Sequence, residues 1–155
     1  MSDRKRKKSD DPGYIVPALE RGLRLLQAFS RDEPVQSVGK LAKELGLPRA
    51  TTFRLAHTLE HLGFLIRDDE TGEYRIGAAA LKLGWNYLSG LELPEIAYPF
   101  LTRLRYMTGV SVHMAVLDGR EIVYVSRLPG QGALTSNIRV GTRLAAHATS
   151  MGRAL

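Results

Sequence analysis

The 155-residue chain contains no cysteine. That excludes a disulfide framework, a thiol nucleophile and thiolate-bound zinc or iron–sulfur centres, and it fits a reducing compartment. No stretch approaches the roughly 18 apolar residues that a membrane-spanning helix needs. The basic start Arg4-Lys5-Arg6-Lys7-Lys8 runs into Ser9-Asp10-Asp11-Pro12-Gly13 and not into the apolar core of a secretory signal, so a cytoplasmic protein without a membrane partner is expected. Charge of one sign is not extreme either. Against 22 Lys and Arg stand 16 Asp and Glu, a net charge of +6, which admits a polyanion partner without naming one. Several catalytic signatures are missing as well. Gly130-Gln131-Gly132 lacks the further glycine and helix of a dinucleotide loop, no P-loop Lys-Ser or Lys-Thr pair follows a glycine run, and Ser126, Ser136 and Ser150 lie outside any G-x-S-x-G elbow. What remains, 44% hydrophobic and 25% charged residues, is the composition of an ordinary globular protein, and excludes a collagen, a mucin-like stalk or a wholly disordered chain.

Residues 1–13 mix charge, Ser, Pro and Gly without a period and read as a disordered basic arm. After Pro17, Leu19, Leu23 and Leu26, with Gly22, Leu25 and Phe29 beside them, follow the spacing of one buried helical face, ending near Ser30. Ser37 suits the N-cap of a short second helix carrying Val38, Leu41, Ala42 and Leu45, and Gly46 suits its left-handed stop. Leu47-Pro48 opens a third helix with Thr52, Leu55, Ala56, Leu59 and Leu62 inward, ended by Gly63. Phe64–Arg67 and Glu73–Ile76 have strand composition around a turn at Asp68-Asp69-Glu70-Thr71-Gly72. The order of helix, short helix, glycine turn, helix and hairpin predicts a winged helix-turn-helix over residues 14–77, within a chain of mixed α+β class.

From Ala78 a helix carries Leu81, Trp85 and Leu88 on one stripe, with Gly84 as a gap, and needs a partner. After Gly90 and Pro94 a further helix reaches about Thr108, with Ile96, Leu101, Leu104 and Met107 inward and Pro99 either kinking it or lying in its early turns. Strands are predicted over Val110–Leu117, Glu121–Arg127 and Leu134–Val140, the first two joined by Asp118-Gly119-Arg120. Thr149 or Ser150 caps the start of a last helix. Three strands and one helical turn bury a sheet face poorly, so the expectation is a fragment or a chain completed by another copy.

In a helix-turn-helix the second helix of the pair enters the major groove and its early residues reach base edges, here Arg49, Thr51, Thr52 and Arg54, with His57 on the outward face and a core-facing Thr52 as the alternative. Arginine offers a fork for guanine, and threonine a hydroxyl or a methyl. In the wing, Arg67, Tyr74 and Arg75 suit phosphate or minor-groove contact, and Ser37 at a helix N-terminus suits a phosphate. Charge partition qualifies this: residues 1–77 carry net +2 and residues 78–155 net +4, but between Ser37 and Arg67 five basic residues face two acidic ones. Solvated polar faces and a protein-docking winged helix are the competing readings. From another class, His57-x-x-Glu60-His61 matches the H-x-x-E-H pattern of zinc metallopeptidases, with a third ligand to be drawn from Glu92, Glu95, Glu121, His113 or His147. Two exposed histidines on a groove-facing helix is the better account, and no catalytic residue, metal or cofactor is assigned.

From Tyr14 onward the chain resembles the IclR family of bacterial transcription regulators. The resemblance lies in Ala18-Leu19-Glu20-Arg21-Gly22-Leu23, in Leu41 to Thr51 around the turn, in Thr52-Phe53-Arg54-Leu55, in Tyr74-Arg75-Ile76-Gly77 and in Gly141 to Leu155. His147-Ala148-Thr149-Ser150-Met151-Gly152-Arg153 looks most like the subgroup governing aromatic-acid catabolism through the β-ketoadipate pathway, although Ala145 stands where the family commonly has proline. The resemblance implies DNA binding at an operator and a linker helix over 78–92 that dimerises through Leu81, Trp85 and Leu88. It also implies a GAF-like α/β effector domain from 93 to 155, truncated here. A homodimer or dimer of dimers, answering to a small organic or aromatic acid, follows from it. His147, Thr149, Ser150 and Met151 are its candidate effector contacts, since hydroxyl and backbone donors at a helix start suit a carboxylate.

Overall fold

Pro17 supplies the fixed φ that suits a first helical turn, and α1 (Pro17–Gln27) begins there in the computed structural model, which describes residues 14–130 and 138–155. The expected arm over 1–13 lies outside the described residues. Two compact units divide between Gly84 and Trp85. In the first, α2 (Val38–Leu45) starts where the Ser37 hydroxyl accepts the Lys40 N–H at 3.3 Å. It ends on Gly46 at φ +65, a left-handed conformation that glycine adopts without Cβ strain. The Leu47 N–H then returns to the Ala42 carbonyl, and α3 (Arg49–His61) begins directly after Pro48. The wing is β2 (Leu65–Arg67) against β3 (Tyr74–Ile76), to which β1 (Val35–Gln36) adds a third antiparallel strand in the order β1-β3-β2. No strand is predicted at that position from the sequence.

The core of this unit is Leu25, Leu41, Ala56, Leu65 and Tyr74, one residue or more from each of α1, α2, α3, β2 and β3. Each buried Leu contributes about 1.5–3 kcal/mol relative to exposure. Buried Gln36 donates from Nε2 to the Ala28 carbonyl at 2.6 Å, pinning β1 to the end of α1. Leu19 and Leu23, expected inward, are exposed instead, because the buried line of α1 runs through Gly22 and Leu25, and Leu62, the C-cap of α3, is exposed as well. Where α3 ends and the wing returns, Gly63 at φ +75 lies against Gly77, and a Cβ on Gly77 would collide with the Gly63 carbonyl oxygen. Gly77 N–H donates to Phe64 O at 2.7 Å and Ala79 N–H to Gly63 O at 3.2 Å, which carries the chain into α4 (Ala79–Ser89).

In the second unit, α5 (Glu92–Thr108) tolerates Pro94 in its first turn, where no intrahelical N–H bond is required, and continues through Pro99 to Gly109 at φ +70. It packs on the antiparallel hairpin of β4 (Val112–Asp118) and β5 (Glu121–Leu128). Of the four residues expected inward on α5 only Leu101 is half-buried; Ile96, Leu104 and Met107 are exposed, since α5 has no buried residue along its length. Ile122, Tyr124, Val125 and Leu128 of β5 and Val112 of β4 form the buried sheet positions, with a register shift between Met114 and Ala115. The expected third strand, Leu134–Val140, is described only in part. Residues 134–137 of that expectation lie outside the described residues, and Ile138–Val140 are not strand. A turn closed by Thr142 N–H on Arg139 O and Arg139 N–H on the Thr142 hydroxyl, both 3.0 Å, delays pairing until β6 (Arg143–Ala145) meets β5. Arg143 then bridges Asp118 at 2.6 Å and Glu121 at 2.8 Å. A 3-10 turn (Ala146–Ala148) and α6 (Ser150–Ala154) follow.

Candidate nucleic-acid interface

Helical geometry sorts the side chains of α3. Thr52 and Ala56 are buried and Leu55 and Leu59 half-buried, which leaves Ala50, Arg54, His57 and His61, at i, i+4, i+7 and i+11, along the line opposite the core. Arg49 and Phe53 flank that line on the wing side; Thr51 and Thr58 flank it on the α1 side. A cleft of about 650 Å³ lies between the start of α2, the first turns of α3 and the wing, and brings together Ser37, Gly39, Arg49, Phe53, Arg67 and Thr71. Two arginines therefore share one concave surface with the N-terminus of α2, a favourable setting for an anion such as a backbone phosphate. On the other side a groove of about 480 Å³ runs between α1 and α3 past Leu19, Leu23, Arg54, Leu55 and Leu62.

Of the predicted DNA contacts, the structure places Arg49, Arg54, His57 and Arg67 on exposed surface and Ser37 and Thr51 at half-buried positions. Two predicted contacts belong to the core. Thr52 is fully buried, and its hydroxyl donates to the Pro48 carbonyl at 3.2 Å, which satisfies a polar group that could not otherwise be buried cheaply. Tyr74 is almost as buried and lines the cleft from the core side with its phenol enclosed, and burial raises its pKa above the ordinary value, with Glu60 adding to the rise. Arg75 is exposed but does not join the cleft. The cross-strand pairs Arg67↔Tyr74 and Ile66↔Arg75 put Arg67 on the inner face of the wing and Arg75 on the outer one. Arg75 lies instead beside Phe29, Ser30 and Arg31.

The wing turn is built by Asp68. Its carboxylate accepts the Thr71 N–H at 2.8 Å, the Glu70 N–H at 3.0 Å and the Thr71 hydroxyl at 3.1 Å, and the Thr71 hydrogen bonds hold its pKa below the ordinary value. Ala50 and Phe53 were not singled out in the sequence. Phe53 had a signal: it is the large apolar residue of this helix that falls off the Thr52, Leu55, Ala56, Leu59 stripe. Its ring is 48% exposed and stacks on His57, with centroids 6.2 Å apart and planes within 6°. His57 Nδ1 lies 3.5 Å from Glu60 Oε2. Among the described residues no three His, Asp or Glu side chains are grouped so as to hold a metal ion.

Elsewhere, Leu81 and Trp85 of α4 are exposed and Leu88 is half-buried. His147, Thr149, Ser150 and Met151 meet at the passage from the 3-10 turn into α6. There Thr149 is engaged structurally: its hydroxyl accepts the Gly152 N–H at 2.9 Å and donates to Ala146 O at 3.3 Å. Among the described residues no helix is long and apolar enough to cross a membrane.

Comparison with known proteins agrees with this architecture. The IclR helix-turn-helix domain matches residues 18–69. The C-terminal domain of the bacterial transcriptional regulator IclR matches residues 85–155. The regulator XynR of Escherichia coli K12 is 32% identical over 91% of this chain and 56% of its own length. The repressor AllR of the same organism is 33% identical over 93% of this chain and 56% of its own. The chain thus spans about half the length of the curated relatives it matches. Among solved structures, an IclR family regulator from Brucella abortus superposes with a TM-score of 0.79 at 33% identity, covering 95% of this chain and 56% of that one. An IclR homologue from Microbacterium hydrocarbonoxydans, solved with 4-hydroxybenzoate, gives 0.73 at 28% identity, covering 87% and 56%. With a helix-turn-helix matched at one end, an effector-type domain at the other and structural relatives spanning both, the chain belongs to the IclR family of bacterial transcriptional regulators.

Proposed function

We infer that this chain reads a pseudo-palindromic operator in double-stranded DNA as a cytoplasmic homodimer or dimer of dimers, and that its second unit answers to a small organic or aromatic acid. The observation that carries the reading is the cleft joining Arg49 and Arg67 to the start of α2, beside the outward line Ala50, Arg54 and His57 of a helix held by the Gly46 turn. In this arrangement α3 enters the major groove, Arg49 and Arg54 reach base edges, and Ser37 and Arg67 hold phosphates. Arg75 meets the backbone only from the outer face of the wing. The working division is a winged helix over 14–77, a linker helix over 78–92 and an effector domain from 93. Leu81, Trp85 and Leu88 form the dimer seam, because an apolar stripe this exposed on α4 is stabilised by covering it. The effector acts by binding one dimer arrangement more tightly than the other. The 4-hydroxybenzoate held by the Microbacterium relative supports an aromatic acid, with His147, Ser150 and Met151 as its candidate contacts.

The test is fluorescence anisotropy of the chain with a duplex from upstream of its own gene and with a shuffled duplex, across a salt series. The expected result is preference for the upstream duplex, with log affinity falling by about 0.9 per phosphate contact for each log unit of salt. Equal or absent binding by a chain that sediments as a dimer overturns the reading in favour of a protein-docking winged helix.

A further inference from the structure

We propose that Phe53 is a specificity-determining residue that reads the 5-methyl group of a thymine in the operator major groove. This rests on the DNA-reading role inferred above for α3. Phe53 is apolar yet about half exposed, one helical turn after Arg49 and one before His57, and it lines the same cleft as Arg49 and Arg67. Apolar side chains on a recognition helix discriminate thymine by contact with its methyl group, the one apolar feature on the major-groove edge of a base pair. The surroundings choose this occupant over a protein one. A partner's apolar core placed on Phe53 would desolvate Arg49 and Arg67 without neutralising them, which opposes such binding strongly. A DNA groove supplies phosphates for the arginines and a methyl for the ring. The ring also has a neighbour that favours one direction. It stacks in parallel on His57, with centroids 6.2 Å apart, and a side chain already biased towards its bound direction loses less freedom on contact.

The experiment replaces each thymine of the preferred duplex by uracil, which removes the methyl and nothing else, and measures affinity for the unaltered protein, Phe53→Ala and Phe53→Leu. At one position per half-site uracil should weaken the unaltered protein about fourfold, the equivalent of one buried methyl-sized group, and about fifteenfold when both half-sites are changed. Phe53→Ala should bind thymine and uracil duplexes equally at that position, and Phe53→Leu should keep part of the discrimination. Preference for the upstream duplex with no such position, or uracil sensitivity that survives in Phe53→Ala, overturns the assignment while leaving the DNA-reading role intact. Failure to prefer the upstream duplex at all overturns both. Because the uracil series leaves the protein unaltered, its outcome does not depend on how well the variants fold.

Discussion

Gly77→Ala probes the close approach that ends the winged helix. The added Cβ would overlap the Gly63 carbonyl oxygen and crowd the Gly63 and Phe64 carbonyl carbons, all of them backbone atoms with no rotamer to yield. Relief requires the two segments to part, and the bonds that hold them are Gly77 N–H to Phe64 O at 2.7 Å and Ala79 N–H to Gly63 O at 3.2 Å. Each is worth about 1 kcal/mol, and residual overpacking adds about 1–2, so the loss should be about 3–4 kcal/mol. Because the chain has two units, the assay should resolve them: peptide-level hydrogen exchange on the full chain. Peptides from α3 and the wing should lose that much protection free energy, and peptides from β4 and β5 none. A change below about 0.5 kcal/mol in α3 and the wing would refute the argument, and equal loss in both units would refute its local character.

Arg49→Ala should weaken binding to the preferred duplex by about 1–3 kcal/mol if its fork meets a base, with little effect on a shuffled duplex, whereas Arg67→Ala should weaken both and reduce the salt slope by about 0.9. Equal losses for Arg49→Ala on the two duplexes would make it a phosphate contact. Gly84→Ala adds a Cβ with nothing within 4 Å in the interior of α4 and should strengthen the helix by about 0.5–1 kcal/mol, read by exchange at α4 amides. Burial, and secondarily Arg127, lowers the pKa of His113, which also sits edge-on to Tyr124 at 5.6 Å. The unfolded chain then binds the extra proton first. The stability of the second unit should be full above about pH 7 and decline as pH falls through 6.5 towards the lowered folded value. His113→Asn should flatten that decline in melting curves taken across pH.

Much of the first unit was legible because its signals are local. The Ser37 cap, the Gly46 stop and the Pro48 start act within four residues, so their spacing alone set out α2, the turn and α3. Two residues counted as DNA contacts from their chemistry belong to the core by position. Thr52 closes on the carbonyl of Pro48, and Tyr74 has its body in the core, so neither meets solvent despite its chemistry. β1 is two residues long and held by a buried glutamine, a tertiary bond with no period. Ile138–Val140 are not strand because the Arg139–Thr142 turn follows directly, a local hydrogen-bonded turn that strand composition did not mark, and β6 pairs with β5 after it. On α3 the core-facing stripe was clear, but counting charged and hydroxyl groups drew attention away from Phe53, whose meaning comes from its place beside that stripe, on the wing-side cleft.

Trp85 is the one tryptophan of the chain and stands 65% exposed on the stripe proposed as the dimer seam. Its fluorescence therefore has a single origin. As an indole passes from water into an apolar seam its emission shifts to the blue and its quenching by iodide falls, so intrinsic emission against protein concentration gives the association curve of the unlabelled protein. The same signal during DNA or ligand titration would report whether the seam tightens or opens, which makes α4 an optical gauge of coupling between the two halves of the molecule.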